Sequence, residues 1–153
     1  MDTIENTERL RETYGPPSER SLKKQLSRFD KHCRDFIARS PFLVIASSDP
    51  SGGCDASPKG DGPGFVEVLD DATVLIPDRL GNNRVDTLGN LIARPGVGLI
   101  FFVPGLNETL RVNGQARITP IRRYSSLWRS TGRFRAAASL CRPRKSISTA
   151  ARR

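Results

Sequence analysis

Residues 42–118 contain short runs of strand-forming residues, separated by turns rich in glycine, proline and aspartate. Each run is short for a helix and rich in aliphatic and aromatic side chains, which favours β-strands. The segment Asp49-Pro50-Ser51-Gly52-Gly53 is typical of a turn between two such strands. The pattern predicts hairpins and a mostly antiparallel sheet. The predicted strands cover residues 42–47, 54–59, 65–69, 73–76, 97–103 and 109–118.

Two segments instead repeat their apolar residues at helical spacing. The first runs from Leu22 to Ile37 and predicts a helix from Ser18 or Ser21 to about Arg39, ended by Ser40-Pro41. The second, around Val85 to Ile92, predicts a short helix between strands. The expected fold class is therefore mainly β, a barrel with helices packed outside it. Residues 1–40 form an N-terminal polar segment and helix, 41–118 the barrel domain and 119–153 a tail.

The remaining composition excludes several classes of protein. The longest apolar run, Val97 to Val103, is too short to span a bilayer, and the N-terminus lacks a signal-peptide pattern. Three widely spaced cysteines give no disulfide framework or CxxC site, and a single histidine, His32, argues against a histidine-based metal centre or catalytic triad. We expect a cytoplasmic protein with no membrane segment and no metal.

The segment Gly81-Asn82-Asn83-Arg84, with Arg79 just upstream, is the first candidate site. After the glycine, Asn82, Asn83 and Arg84 are predicted to form the first turn of the short helix, whose N-terminus carries partial positive charge and unpaired N–H groups. Arginine binds phosphate oxygens at two points, so the segment fits a phosphomonoester cradle. The alternative is that an asparagine caps the helix and the arginines are solvated.

Two strand segments are weaker candidates. In Asp55-Ala56-Ser57-Pro58-Lys59-Gly60 the proline interrupts the strand, which frees backbone groups for a planar ligand beside a lysine. The alternative is an ordinary edge strand with an exposed lysine. Thr109 and Arg111 share one face of a later strand, and that face is equally explained as an outward polar surface. No residue stands out as a catalytic acid or base.

Several co-linear motifs resemble the pyridoxamine 5′-phosphate oxidase-like flavoproteins, whose fold is the FMN-binding split β-barrel. The resemblance covers Tyr14 to Ile118 and is greatest for an uncharacterised bacterial subgroup. It implies FMN as cofactor, a homodimer with flavins at the subunit interface, and an oxidoreductase whose substrate and electron donor are not specified. Whether the chain is an enzyme stays open. The motifs are Ser40-Pro41-Phe42-Leu43, Asp55 to Asp61, Ile76-Pro77-Asp78-Arg79, Gly81 to Arg84 and Glu108 to Gly114.

The resemblance also implies a role for each matching residue. Asn82, Asn83 and Arg84 match the cluster that grips the flavin phosphate, and Arg79 assists them. The strand with Ser57, Pro58 and Lys59 lies along the flavin ring. Pro77 and Asp78 match residues beside the phosphate and ribityl chain. Thr109 matches a position that reaches the flavin of the neighbouring subunit, and Arg111 is close to it.

The charge distribution breaks where the resemblance ends. Residues 1–119 hold 15 Lys and Arg and 16 Asp and Glu, whereas residues 120–153 hold 10 Lys and Arg and no acid, which together give the net charge of +9. With few apolar residues, the tail is expected to be disordered. An alternative function follows: a non-catalytic barrel whose basic tail binds nucleic acid or anionic surfaces, the only part of the chain expected to do so.

We favour a different origin for the tail, namely translation out of frame. Reading the third base of each codon with the first two of the next permits Asp-Pro-Ala-Leu-Leu from Pro120 onward. The same shifted frame permits Leu-Ala-Val-Asp-Gly from Leu127 and Glu-Glu-Val-Tyr-Phe-His-Cys from Pro143. All three strings resemble the way the subgroup continues. The last strand of the barrel is then missing, which leaves an open sheet edge. A third reading of the chain is that this truncated product is non-functional.

Overall fold

The computed structural model describes residues 3–19, 22, 25–79, 81–120 and 134–151. These residues form a mainly β structure with helices. The helices are α1 (Thr7–Tyr14), α2 (Lys31–Arg39) and α3 (Asp86–Ala93). The strands are β1 (Phe42–Ser48), β2 (Cys54–Gly60), β3 (Glu67–Asp70), β4 (Thr73–Arg79), β5 (Gly96–Phe102), β6 (Glu108–Pro120) and β7 (Phe134–Ala151).

One seven-stranded sheet contains all of these strands, in the order β2-β1-β5-β6-β7-β4-β3. Every paired neighbour is antiparallel, and the predicted hairpins β1–β2 and β3–β4 are confirmed. Strands β5 and β6 form a third antiparallel pair, which the sequence analysis did not predict. In the first hairpin turn, the Asp49 side chain accepts from the Gly53 N–H at 2.8 Å, and Gly52 has a φ of 96° that favours glycine. The sheet is open, with β2 and β3 as its edges. The expected class, mainly β with flanking helices and a split-barrel fold, is confirmed.

The core lies on one face of this sheet. Cross-strand partners share a face, so Leu43, Phe101 and Leu110 form one buried row across β1, β5 and β6. Ile45, Leu99 and Val112 form the next row. Burial of each such side chain stabilises the fold by about 1.5–3 kcal/mol. Residues of α2 join the same core, namely Cys33, Phe36 and Ile37.

Helix α2 is shorter than the apolar spacing predicted. It begins at Lys31, because the Asp30 side chain accepts from the Cys33 N–H at 2.8 Å and caps the helix there. Leu26 and Phe29 still pack on the core from non-helical backbone. The apolar spacing therefore identified the residues from Leu26 to Ile37 that pack on the core, whereas Leu22 is 51% exposed and residues 25–30 interrupt the predicted helix.

The tail differs from the expected disorder. The backbone of Phe134–Ala151 forms β7, which pairs with β4 on one side and β6 on the other. The physical reason is that β4 and β6 both present unpaired N–H and C=O groups, and backbone pairing requires no particular side chain. Pro143 lies opposite Gly114 where the register shifts, as expected for a proline inside a sheet. Residues 121–133 and 152–153 of the predicted tail lie outside the described residues.

Within the described ranges, no helix is long and apolar enough to span a membrane.

Candidate functional site

A cavity of about 570 Å³ opens where edge strand β2 approaches the end of β4 and the start of α3. This volume lies within the usual range of small-molecule pockets. The structure brings two separate sequence motifs together here, one from β2 and one from the segment between β4 and α3. The predicted site residues that line the cavity are Ser57, Pro58, Lys59, Asp78, Arg79, Asn82, Asn83 and Arg84.

The β2 wall of the cavity continues the buried face of the sheet. Ser57 pairs with Ile45, and Lys59 pairs with Leu43, so both side chains point to the core side but lie beyond its apolar part. Pro58 points to the other face and pairs with Val44. Because β2 is an edge strand, the missing N–H of Pro58 breaks no internal ladder. The proline was expected to interrupt the strand, but β2 pairs with β1 over all seven residues without a register shift, so Pro58 is accommodated by the edge position instead.

The β4 wall depends on an irregularity at the end of that strand. The register of β4 with β7 shifts between Pro77 and Arg79. Such a shift allows consecutive residues to approach the same side, and both Asp78 and Arg79 line the cavity. Pro77 is buried in the strand and does not line the cavity, so its contribution is to the backbone shape rather than to the wall.

Ion pairs cross the gap between β2 and β4, which no backbone pairing closes in the described sheet. Lys59 Nζ lies 3.4 Å from Asp78 Oδ1, and both side chains are more than two-thirds buried. The guanidinium of Arg79 pairs with the Asp61 carboxylate, from the residue directly after β2. We call this gap between β2 and β4 the split. Side chains, rather than strand pairing, hold its two edges together at the cavity.

The segment before α3 forms a loop rather than the first helical turn that the sequence predicted. Asn83 and Val85 have φ values of 61° and 50°, and α3 begins at Asp86. A β-branched residue in this left-handed region is a true conformational outlier. The Asn82 side chain accepts from the Arg84 N–H at 3.1 Å instead of capping the helix. The predicted asparagine cap is therefore wrong, and the N-cap residue Val85 makes no side-chain cap hydrogen bond.

An uncapped helix start is a favourable place for an anion. The first N–H groups of a helix have no intrahelical partner and lie at the positive end of its dipole. Asp86, Thr87 and Leu88, the first residues of α3, all line the cavity. Arg84 lies beside them and its Nε donates to Asp86 Oδ2 at 2.9 Å. Both side chains of this pair are mostly exposed, so the ion pair itself contributes little, and the Asp86 carboxylate lowers the positive charge of this helix start.

Side chains that sequence reasoning missed fix α3 against the first hairpin. Thr87 Oγ1 donates to Asp55 Oδ2 at 2.8 Å, and Asn90 Nδ2 donates to Ser47 Oγ at 3.2 Å. Thr87 and Ser47 are buried. Their small polar side chains carry no pattern that identifies them in the sequence. These bonds set the position of the helix start relative to β2.

Thr109 and Arg111 are the predicted site residues that the fold separates from the cavity. They pair with Phe102 and Ile100, on the face of the sheet opposite to the core. Ser57 and Lys59 lie on the core side, so the two sets do not meet within one chain. The sequence expectation that Thr109 and Arg111 act on a neighbouring subunit stays a prediction.

The described residues offer no cluster of three or more groups arranged to hold a metal ion. Cys33 is buried beside Asp30, and burial raises the pKa of its thiol to about 12. The thiolate nucleophile is then negligible at neutral pH, which agrees with the prediction that Cys33 belongs to the core.

Comparisons with known proteins give the same fold. A candidate pyridoxamine 5′-phosphate oxidase from Lactobacillus delbrueckii superposes with a TM-score of 0.63 at 16% identity, over 84% of this chain and 99% of that chain. HupZ of Group A Streptococcus superposes with a TM-score of 0.59 at 15% sequence identity, over 80% of this chain and 98% of that chain. A third structure is an FMN-binding protein from Nostoc punctiforme that is related to pyridoxamine 5′-phosphate oxidase. It superposes with a TM-score of 0.51 at 10% sequence identity, over 80% of this chain and 92% of that chain. At these identities the likeness establishes the fold. No curated protein sequence matches the chain.

The fold and the comparisons together define a split-barrel protein of the pyridoxamine 5′-phosphate oxidase type. The sequence model of the pyridoxamine 5′-phosphate oxidase family matches residues 29–145, which is most of the chain. The chain belongs to this family. The matched range extends past residue 118, where the sequence analysis placed the end of the resemblance.

Proposed function

We propose that the chain is an FMN-binding flavoprotein and acts as an oxidoreductase when its cofactor is bound. The observation that carries the proposal is the cavity where the uncapped start of α3 meets Arg84, Arg79 and Lys59. A group with a dianionic end and a planar, polar ring matches this donor set. The relative from Nostoc punctiforme, itself FMN-binding, shares the fold that builds the cavity.

The phosphate of FMN is proposed to lie at the start of α3. Arg84 supplies a guanidinium that can make charge-assisted contacts to two phosphate oxygens. The N–H groups of the first turn add neutral donors, and no side chain competes for them as a cap. Asn82 and Asn83 hold the loop in the shape that leaves this turn open.

The flavin ring is proposed to lie along β2. Lys59 and Ser57 face the cavity from the core side of this strand, with Lys59 directed by Asp78. A cation held at this wall stabilises negative charge on a bound ring. A bound flavin supplies the redox chemistry, and the protein supplies binding, orientation and electrostatics. The substrate and the electron donor are outside what these residues define.

A second copy of the chain is proposed to complete the site. The sheet face opposite to the core exposes Phe42 and Ile100, which are 40% and 38% accessible. Val44 and Arg111 flank Ile100 on this face, and Thr109 lies beside Phe102. A twofold dimer that covers this apolar patch places Thr109 and Arg111 of one copy next to the other copy. Localisation in the cytoplasm is part of the same proposal.

Titration of the purified chain with FMN, followed by flavin fluorescence and absorbance, tests the cofactor assignment. We expect Arg84→Glu to weaken FMN binding by roughly 10- to 100-fold, the value of a charge-assisted contact. Riboflavin, which lacks the phosphate, is expected to bind more weakly than FMN and to respond little to Arg84→Glu.

Arg9→Glu provides the matched control, because it makes the same charge change on α1, a helix with no buried residues. If Arg84→Glu and Arg9→Glu affect FMN equally, the phosphate does not lie at α3. If the folded chain binds no flavin, the proposed function is wrong.

The dimer is tested by sedimentation equilibrium. Ile100→Glu places a charge in the exposed patch and is expected to shift the chain to a monomer, whereas Leu106→Glu, at another exposed apolar side chain in the β5–β6 turn, is expected to leave the dimer intact. A wild-type chain that sediments as a monomer at every concentration contradicts this part of the proposal.

A further inference from the structure

Asp61 follows β2 directly and does not line the cavity, and it is not among the predicted site residues. Contacts fix it from both sides. Its backbone N–H donates to the Pro41 carbonyl at 3.0 Å, and its Oδ1 accepts from the Gly62 N–H at 2.7 Å. Its other oxygen, Oδ2, is buried against the guanidinium of Arg79. Asp61 therefore joins the segment after β2 to the cavity wall on β4.

The Asp61–Arg79 pair is one of two that span the split. Lys59 and Asp78 form the other, with the charges reversed: β2 contributes the cation there, and β4 the carboxylate. Each edge thus carries one cation and one acid, so the two edges attract each other in one register only. We call these four residues the split clasp. Both of its cations line the cavity and neither acid is a free surface group, since each is about three-quarters buried.

We propose that Asp61 is a positioning residue of the cavity: it holds the Arg79 guanidinium at the wall and keeps the split at the width that the ligand requires. The inference rests on the proposed function for the identity of that ligand. Arg79 lies on an irregular strand end, so the shape of β4 alone does not fix its side chain. The contact with Asp61 from across the split constrains the guanidinium, and the Asp61 carboxylate lowers the net positive charge of the cavity wall.

The direction in which Asp61→Asn changes FMN affinity distinguishes a positioning role of Asp61 from a purely electrostatic one. If Asp61 acted only through its charge, Asp61→Asn would raise the positive potential of the cavity and tighten FMN binding. If Asp61 holds Arg79 in place, the same change weakens binding, because the guanidinium and the edge of β2 lose their mutual anchor. Residues that orient ligand-binding groups typically contribute about tenfold or more to affinity.

The experiment compares FMN affinity in the full chain carrying Asp61→Asn, Asp61→Glu or Asp35→Asn. Asp35 pairs with Lys31 on the exposed surface of α2, so Asp35→Asn removes the same charge away from the split. We expect about tenfold weaker FMN binding for Asp61→Asn, partial recovery for Asp61→Glu and no change for Asp35→Asn. Unchanged or tighter binding by folded Asp61→Asn overturns the inference.

A double-mutant cycle in thermal unfolding, without ligand, tests the clasp separately. Asp61→Asn and Arg79→Gln are each expected to lower the melting temperature, and the double variant is expected to melt no lower than the worse single variant. Additive shifts overturn the inference. If the wild-type chain binds no flavin, the proposed function fails, and this cycle alone decides whether Asp61 anchors Arg79.

Discussion

Strands β6 and β7 lie side by side in the sheet and pair with each other along their length, but their sequences are very different. The pairing of β6 with β5 keeps one register throughout, whereas that of β7 shifts register against both of its neighbours. Along β6, buried Leu110 and Val112 alternate with more exposed residues, as a strand with one core face requires. The sequence of Phe134–Ala151 instead contains basic residues, small residues and an internal proline, and it has no acidic residue. Backbone groups can fill a gap between two strands whatever the side chains are, whereas a unique register needs a side-chain pattern.

Giving β7 the pattern that it lacks is expected to produce the largest effect. In the shifted reading frame the tail carries the string Glu-Glu-Val-Tyr-Phe-His-Cys. Each apolar side chain that it buries adds about 1.5–3 kcal/mol, so the frame-restored chain should gain roughly 5 kcal/mol of unfolding free energy. Thermal unfolding of both chains measures the gain, and the frame-restored chain is expected to retain more FMN.

The control for this comparison is the frame-restored chain with its Val, Tyr and Phe replaced by serine. It keeps the new charge distribution and removes the apolar alternation, so it should lose most of the gain. If the gain in unfolding free energy persists in this control, the new charge distribution rather than the apolar side chains causes it. Sequencing of the coding DNA tests the frame itself: codons that forbid the three shifted strings contradict the frame proposal.

Truncating a core side chain of β5 is expected to change the free energy of unfolding by a somewhat smaller amount. Phe101 is fully buried, and Phe101→Ala is expected to cost about 3–5 kcal/mol. The neighbouring Ile100 lies on the opposite face, so Ile100→Ala is expected to cost far less in the monomer. Urea unfolding at low protein concentration measures both. Equal losses would show that β5 does not have one core face.

The same contrast explains how much of the fold was predictable from sequence. Short apolar runs and turn residues located β1 to β6 and the hairpins β1–β2 and β3–β4, because local spacing decides which face of a strand is buried. The start of α2 was not predictable from spacing, since Leu26 and Phe29 satisfy the helical period but pack without helix. β7 was not predictable either, because its position depends on the empty edges of β4 and β6.

The site was predictable only in its parts. The proline in β2 and the glycine before α3 indicated both walls of the cavity, because proline favours a sheet edge and glycine a loop. That these walls meet depends on contacts between residues distant in sequence, which no local pattern encodes. Asp61 and Thr87 act through partners far away in sequence, Arg79 and Asp55, and such pairs carry no short-range signal.

The smallest predicted effect concerns the cap that decides where α2 begins. Asp30→Ala removes the side-chain acceptor for the Cys33 N–H and is expected to cost about 0.5–2 kcal/mol at neutral pH. Asp30→Asn retains an acceptor of similar capping strength and should cost little. Urea unfolding measures both variants. If Asp30→Ala is as stable as wild type, the helix start is fixed by packing alone.

The pH dependence of that difference identifies the charged form of Asp30 as the stabilising one. The hydrogen bond from the Cys33 N–H lowers the pKa of Asp30 below its ordinary value of 3.8. A carboxyl with a lowered pKa in the folded state stabilises fully above 3.8, and the contribution is lost as the pH falls towards the lowered pKa. The difference in unfolding free energy between wild type and Asp30→Ala should therefore be constant near neutrality and become smaller below pH 3.8.

The Asn variant provides the control. The difference in unfolding free energy between Asp30→Asn and Asp30→Ala should persist below pH 3.8, because an amide acceptor does not titrate. A gap that stays open for wild type at low pH would mean that the neutral carboxyl caps equally well, and that α2 starts at Lys31 because of its hydrogen-bond geometry rather than its charge.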